Sequence, residues 1–107
     1  MLNWFFEIFA PSTFTKGIYK YNRGEYHTAE RLLRKAAKWM PELKNDSLYE
    51  AYSFLTFSKL GKPINSIEIK KLLDKMAKNK LKMHKSFIKA EAELNALLKE
   101  AEGNVLS

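Results

Sequence analysis

From Ser66 to Glu102 the chain runs 37 residues without a glycine or proline, the two residue types that most readily stop a helix. Along this stretch Ile69, Leu73, Met76, Lys80, Met83, Phe87, Ala90, Leu94, Leu97 and Ala101 follow one another at alternating steps of four and three residues. That spacing keeps one stripe on one side of a helix, with Lys80 its only polar member. A strand would instead send alternate residues to opposite faces. Asn79-Lys80 interrupts the apolar pattern, so the spacing predicts two helices, 66–78 and 81–102, in preference to a single long one. Four Gly and three Pro in 107 residues are too few to punctuate the many turns of a sandwich or barrel. The expected fold class is all-α, one domain over residues 1–107 with a single core.

Upstream, the same grammar marks three more helices. Pro11 is expected to close an apolar segment over residues 1–10, after which Ser12 or Thr13 caps a helix to about Asn22. Arg23-Gly24 makes the next break. From Glu25 to Met40 the residues Tyr26, Ala29, Leu32, Leu33, Ala36, Ala37 and Met40 recur at helical steps, opposite a basic face of Arg31, Arg34, Lys35 and Lys38. Pro41 stops that helix. After a Lys44-Asn45-Asp46 loop, Ser47 and Glu50 have capping-box spacing and open a helix through Tyr49, Tyr52, Phe54, Leu55 and Phe57 to Leu60. Gly61 suits a left-handed C-terminal cap and Pro63 confirms the stop. Asn65, with Glu68 three residues later, caps the stretch that follows.

Nineteen Lys and Arg against twelve Asp and Glu give a net charge of +7, unevenly placed. Residues 1–61 contribute +3, residues 62–89 contribute +7 and residues 90–107 contribute −3. Such a field steers encounters with an acidic protein, nucleic acid or an anionic membrane surface. Cysteine is absent, which excludes a disulfide framework, a thiolate nucleophile and cysteine-ligated zinc. The opening run with Trp4, Phe5, Phe6, Ile8 and Phe9 has no basic region before it, is interrupted by Glu7, and falls far short of the ~20 apolar residues that cross a bilayer. It is expected to be a short helix packed on the domain, a partner or dimer contact and shallow membrane insertion being the other uses of such a run. A cytoplasmic location without a transmembrane segment follows as the expectation.

Gly17, Gly24-Glu25-Tyr26, Ala29, Leu33, Ala36 and Pro41 together resemble one tetratricopeptide repeat, spanning residues 12–41. In that pattern small residues let two helices approach, the aromatic fills the gap between them, and proline ends the second helix. One deviation is Lys20, which stands where the family has an aromatic and is flanked by Tyr19 and Tyr21. Residues 47–78 are similar to a degenerate second repeat, with Ala51 and Phe54 placed 34 residues after Gly17 and Lys20 and a lengthened turn at Lys62-Pro63-Ile64-Asn65. The resemblance implies antiparallel helix-turn-helix repeats with flanking N- and C-terminal helices. It also implies a concave face built by the first helix of each repeat, carrying Ile18, Tyr21 and Asn22, then Leu48, Tyr52, Leu55 and Thr56, where a peptide or protein segment would bind. A generic helical bundle predicts the same helices.

Residues for chemistry are sparse. His27 and His84 are far apart and lack partners at metal-triad spacing, so neither a metal nor a cofactor is expected. The four glycines are isolated, which leaves no phosphate-cradling loop. Glu91 and Glu93, like Glu100 and Glu102, diverge around a helix and do not pair for acid-base work. The expected function is therefore non-catalytic binding of a protein or peptide, as an adaptor or scaffold. The same composition suits an immunity-type inhibitor that covers a toxin or enzyme. It also suits an electrostatic nucleic-acid binder working through Lys70, Lys71, Lys75, Lys78, Lys82 and Lys85, although a run of Lys without Arg or exposed aromatics is poor at clamping phosphate and stacking bases.

Overall fold

A computed structural model describes the backbone of residues 2–78 and 85–106 and the side chains of residues 12–78 and 85–102. The described residues form five α-helices and no strand: α1 (Leu2–Asn22), α2 (Tyr26–Trp39), α3 (Ser47–Lys59), α4 (Ser66–Ala77) and α5 (Lys85–Leu106). The chain is all-α.

The first two helices fold back on one another through Gly24, whose φ of +83° is the left-handed conformation that glycine adopts without steric cost. Their close approach is set at Gly17. A Cβ there would lie 3.0 Å from Leu33 Cδ2 and 3.1 Å from Leu33 Cγ, tight enough that the Leu33 side chain would have to give way. Small residues on α2 complete the contact, with Ala29, Ala36 and Ala37 all buried. Tyr21, not residue 20, supplies the aromatic between the helices, packing at 5.5 Å from Tyr26 and edge-on at 5.6 Å to Tyr52.

α3 and α4 make the second hairpin, turned by Gly61 at φ +81° and clasped where Lys75 Nζ reaches Glu50 Oε2 at 3.1 Å. α5 then lies antiparallel to α4, with Lys70 and Glu102 paired at 3.0 Å, and also packs on α3. Phe87, Ala90 and Leu94 of α5 are fully buried against Ile69 and Met76 of α4 and the tyrosines of α1 and α3. The stripe running from Ile69 to Ala101 thus does not face one continuing neighbour. Its two halves turn toward each other, and Leu72 rather than Leu73 completes the buried face of α4. Lys80, Met83, Lys82 and His84 lie outside the described residues.

Several boundaries differ from those expected. Pro11 does not break the first helix, which continues from Leu2 to Asn22. Proline removes one donor but has a helical φ, so it disfavours a helix interior without forbidding it. The side chains of the aromatic run 1–10 lie outside the described residues. Asp46, not Ser47, caps α3: its carboxylate accepts from Leu48 N at 2.9 Å and Tyr49 N at 3.2 Å, while Ser47 is buried one position further in. That shift carries Glu50 out of capping-box register and toward Lys75. Asn65 caps α4 as expected, accepting from Ile67 N at 2.8 Å. Pro41 ends α2 and starts a short 3₁₀ turn, Pro41–Asn45, where a loop was expected. α5 continues four residues beyond the expected end at 102, to Leu106.

Two substitutions test this framework. Gly17→Val places branched atoms where Leu33 already sits and is expected to cost about 2 kcal/mol or more by urea unfolding. Asp46→Ala is expected to cost about 1 kcal/mol, against little change for Glu42→Ala, which caps nothing.

Candidate partner-binding groove

Most of the residues expected to form a concave binding face are instead buried in the core, Tyr21 and Tyr52 beneath α5. Ile18, Tyr21, Tyr52 and Thr56 are buried, and so is Leu55, with Leu48 half-buried. Their polar atoms are spent internally. The Tyr21 hydroxyl donates to Glu93 Oε1 at 3.0 Å, the Tyr52 hydroxyl to the Ser86 carbonyl at 2.8 Å, and Thr56 Oγ1 to the Tyr52 carbonyl at 2.6 Å. Asn22 alone of the five site residues stays exposed, and its Oδ1 accepts from Lys89 Nζ at 2.6 Å. The physical reason is hydrophobic: two tyrosine rings side by side are a surface that the apolar face of α5 covers more favourably than water does.

Burial alters these phenols. Desolvation, followed by the charge and hydrogen bond of Glu93, holds Tyr21 far above its ordinary 10.0. Desolvation and the same charge push Tyr52 up to about 12, against the opposing effect of its bond to Ser86. Glu93 Oε2 is itself buried and has no hydrogen-bond donor among the described residues.

The open face lies on the other side of α3. Because Ala51, Tyr52, Leu55 and Thr56 point inward, Tyr49, Ser53 and Phe57, at i, i+4 and i+8, form a separate stripe on the helix. A cleft of about 410 Å³ between α3 and α4 is floored by Tyr49, Ser53, Phe54, Phe57 and Leu72. A smaller one of about 50 Å³ between α3 and α2 shares Tyr49, Ser53 and Phe57 with it. The two adjoin along the same stripe and make one groove over α3. Phe57 is 36% exposed and Ile67, at the start of the α4 wall, is 62% exposed.

The walls differ in charge. On the α2 side Glu30 is engaged by Arg34 at 3.1 Å and Lys62 at 2.9 Å, and the Lys62 hydrogen bond is the leading cause that holds its carboxyl below the usual range. Lys62 also sits 4.3 Å over the Phe57 ring. On the α4 side Lys71, Lys75 and Lys78 recur at i, i+4 and i+7 and so share one face, with Glu68 at its start. Lys75 is held by Glu50 and by the Asn45 carbonyl at 2.6 Å, whereas Lys71 and Lys78 are exposed without an ion pair among the described residues.

The six lysines expected to act together are thus divided. Lys71 and Lys75 line the groove, Lys78 caps the C-terminal end of α4, Lys70 turns to Glu102, Lys85 opens α5, and Lys82 lies outside the described residues. Among the described residues no three His, Asp or Glu side chains are placed to hold a metal ion. No described helix is long and apolar enough to cross a membrane. The groove floor was hidden in the sequence because Tyr49, Phe54 and Phe57 read as ordinary apolar helix positions. The available signal was their excess: α3 carries more large apolar side chains than one inward face can hold. Comparison with protein-family profiles, curated proteins and solved structures finds no match to this chain.

The tyrosine cluster makes stability depend on alkaline pH. A phenol with a raised folded value favours the folded state while it stays protonated; above pH 10 the unfolded chain releases its proton first. Stability is therefore complete below pH 10 and falls as pH rises toward 12, by about 1.4 kcal/mol per pH unit for each such tyrosine. Glu93→Gln keeps an acceptor for Tyr21 and removes the charge, so tyrosinate absorbance is expected to appear at lower pH than in the wild type. An unchanged titration would remove Glu93 as a cause.

Proposed function

We propose that this chain is a non-catalytic protein-binding module that holds a partner in the groove over α3. The observation that carries the proposal is a cleft beside α3 with a partly exposed apolar floor, Tyr49, Phe54 and Phe57 over the buried Leu72, rimmed by the charged Glu50, Glu68, Lys71 and Lys75. Partly exposed aromatic side chains gathered in a concavity gain from desolvation when a partner covers them, and a charged rim orients that partner. A phosphate backbone would use the lysines and leave the floor empty, which favours a protein over nucleic acid. The resemblance to tetratricopeptide repeats supports an adaptor or scaffold role, with the binding face moved to the outer side because α5 fills the inner one. An inhibitor that covers another protein would use the same groove. In either role the mechanism is occupancy, not chemistry.

The test is capture from a lysate of the source cells by the immobilised chain after nuclease treatment, beside a Ser53→Trp variant that fills the floor and whose folding is checked by circular dichroism. A stoichiometric protein retained by the wild type and reduced at least tenfold by Ser53→Trp is the expected result. Equal retention by both would put the interface elsewhere, and material lost on nuclease treatment would make the lysines a nucleic-acid surface.

A further inference from the structure

Away from the groove, and independently of it, we infer that the outer face of α2 binds double-stranded nucleic acid through its phosphates, without reading its sequence. Ala29, Leu33, Ala36 and Ala37 turn the inner face of α2 into the core, which leaves His27, Arg31, Arg34, Lys35 and Lys38 on the opposite side. All five are exposed. They fall within about one third of the helix circumference, and no carboxylate lies among them. The acids at the edge of this face are already held. Glu30 is shared by Arg34 at 3.1 Å and Lys62 at 2.9 Å, and Glu25, at the start of α2, by Lys20 at 3.5 Å and Arg23 at 3.3 Å. Lys16, exposed on α1, stands one turn before Lys20 on the same side of that helix. Glu42 comes after Pro41, beyond the end of α2. Two carboxylates are thus held by four cations, and the row Arg31, Lys35, Lys38 makes no ion pair among the described residues.

The partner is set by what this face lacks. It carries no apolar side chain, whereas a protein interface depends on a few buried apolar or aromatic anchors and gains mainly encounter rate from charge. A helix that lies on a bilayer sinks its apolar face into the lipid, and that of α2 is already in the core. Single-stranded nucleic acid calls for open aromatic rings on which bases stack. Trp39, the aromatic at the end of α2, is half-buried and has Lys35 seated over its ring at 4.9 Å. A duplex requires none of these. Its phosphates supply affinity by charge alone, through release of the counterions they hold. Unlike the lysines of α4, the α2 face also offers arginine, whose planar guanidinium grips a phosphate through two parallel hydrogen bonds. Arg31 and Lys38 are about 10 Å apart along the helix, the length over which one duplex strand presents about three phosphates.

The test follows fluorescence anisotropy of a DNA duplex of about 30 base pairs and mixed sequence, titrated with the full chain at salt from about 50 to about 200 mM. One triple variant, Arg31→Gln, Lys35→Gln, Lys38→Gln, removes the row. A second, Lys59→Gln, Lys85→Gln, Lys99→Gln, removes the same charge from exposed positions on α3 and α5, and circular dichroism checks that both fold. The wild type is expected to bind, the α2 variant to weaken at least tenfold at the lower salt with a shallower salt dependence, and the second variant to change less than threefold. Ser53→Trp is expected to bind the duplex like the wild type, so the outcome here and the fate of the groove are read separately. Equal weakening by both triple variants would reduce the effect to net charge and overturn the face. No duplex binding at the lower salt would overturn the partner. So would displacement of the duplex at matched charge by polyglutamate, which would put an acidic protein on α2, or by phosphatidylserine vesicles, which would put a lipid surface there.

Discussion

Everything in this fold is arranged around the covering of two tyrosines. Tyr21 belongs to the first hairpin and Tyr52 to the second, their rings meet edge to face, and α5 closes over both with Phe87 while Glu93 and the Ser86 carbonyl receive their hydroxyls. The contact joins three parts of the chain that otherwise have only pairwise packing. It satisfies polar tips that would be costly to bury alone, and burial together with the Glu93 charge keeps both phenols protonated. The second oxygen of Glu93 has no hydrogen-bond donor among the described residues.

The position of α5 also decides which surface remains open. A helix that occupies the inner face of α1 and α3 fixes the inward set of α3, and the residues it leaves over, Tyr49, Ser53 and Phe57, become the outer floor. α2 and α4 then wall that floor because each is the return arm of a hairpin whose first arm is already covered. The groove is thus a consequence of how the inner face is filled, and its lysine row follows from the rotation that buries Ile69, Leu72 and Met76.

Much of this was legible in local sequence grammar. Gly24, Gly61, Pro41 and Asn65 mark their turns and caps because each answers a local requirement: a positive φ, a missing donor, two unpaired amides. What was not legible depends on neighbours. Whether Pro11 breaks a helix, or whether Asp46 or Ser47 caps one, turns on small differences that tertiary packing overrides. The face of α3 was misassigned for the same reason: a helix with apolar side chains all round does not say which of them look inward, and only the docking of α5 decides. The lysines looked like one patch because they are neighbours in sequence, yet a helix and a chain reversal send them to different surfaces.

The tyrosine contacts span 72 and 34 residues of chain, in contrast to the neighbouring helices paired at Gly17 and Leu33. Contacts of long sequence separation carry the greater cost of loop closure and form after local ones. The seal over the tyrosines therefore bears a larger loop-closure cost than the turn that joins α1 to α2. The outer groove, lined by α2, α3 and α4, makes no use of that long-range seal.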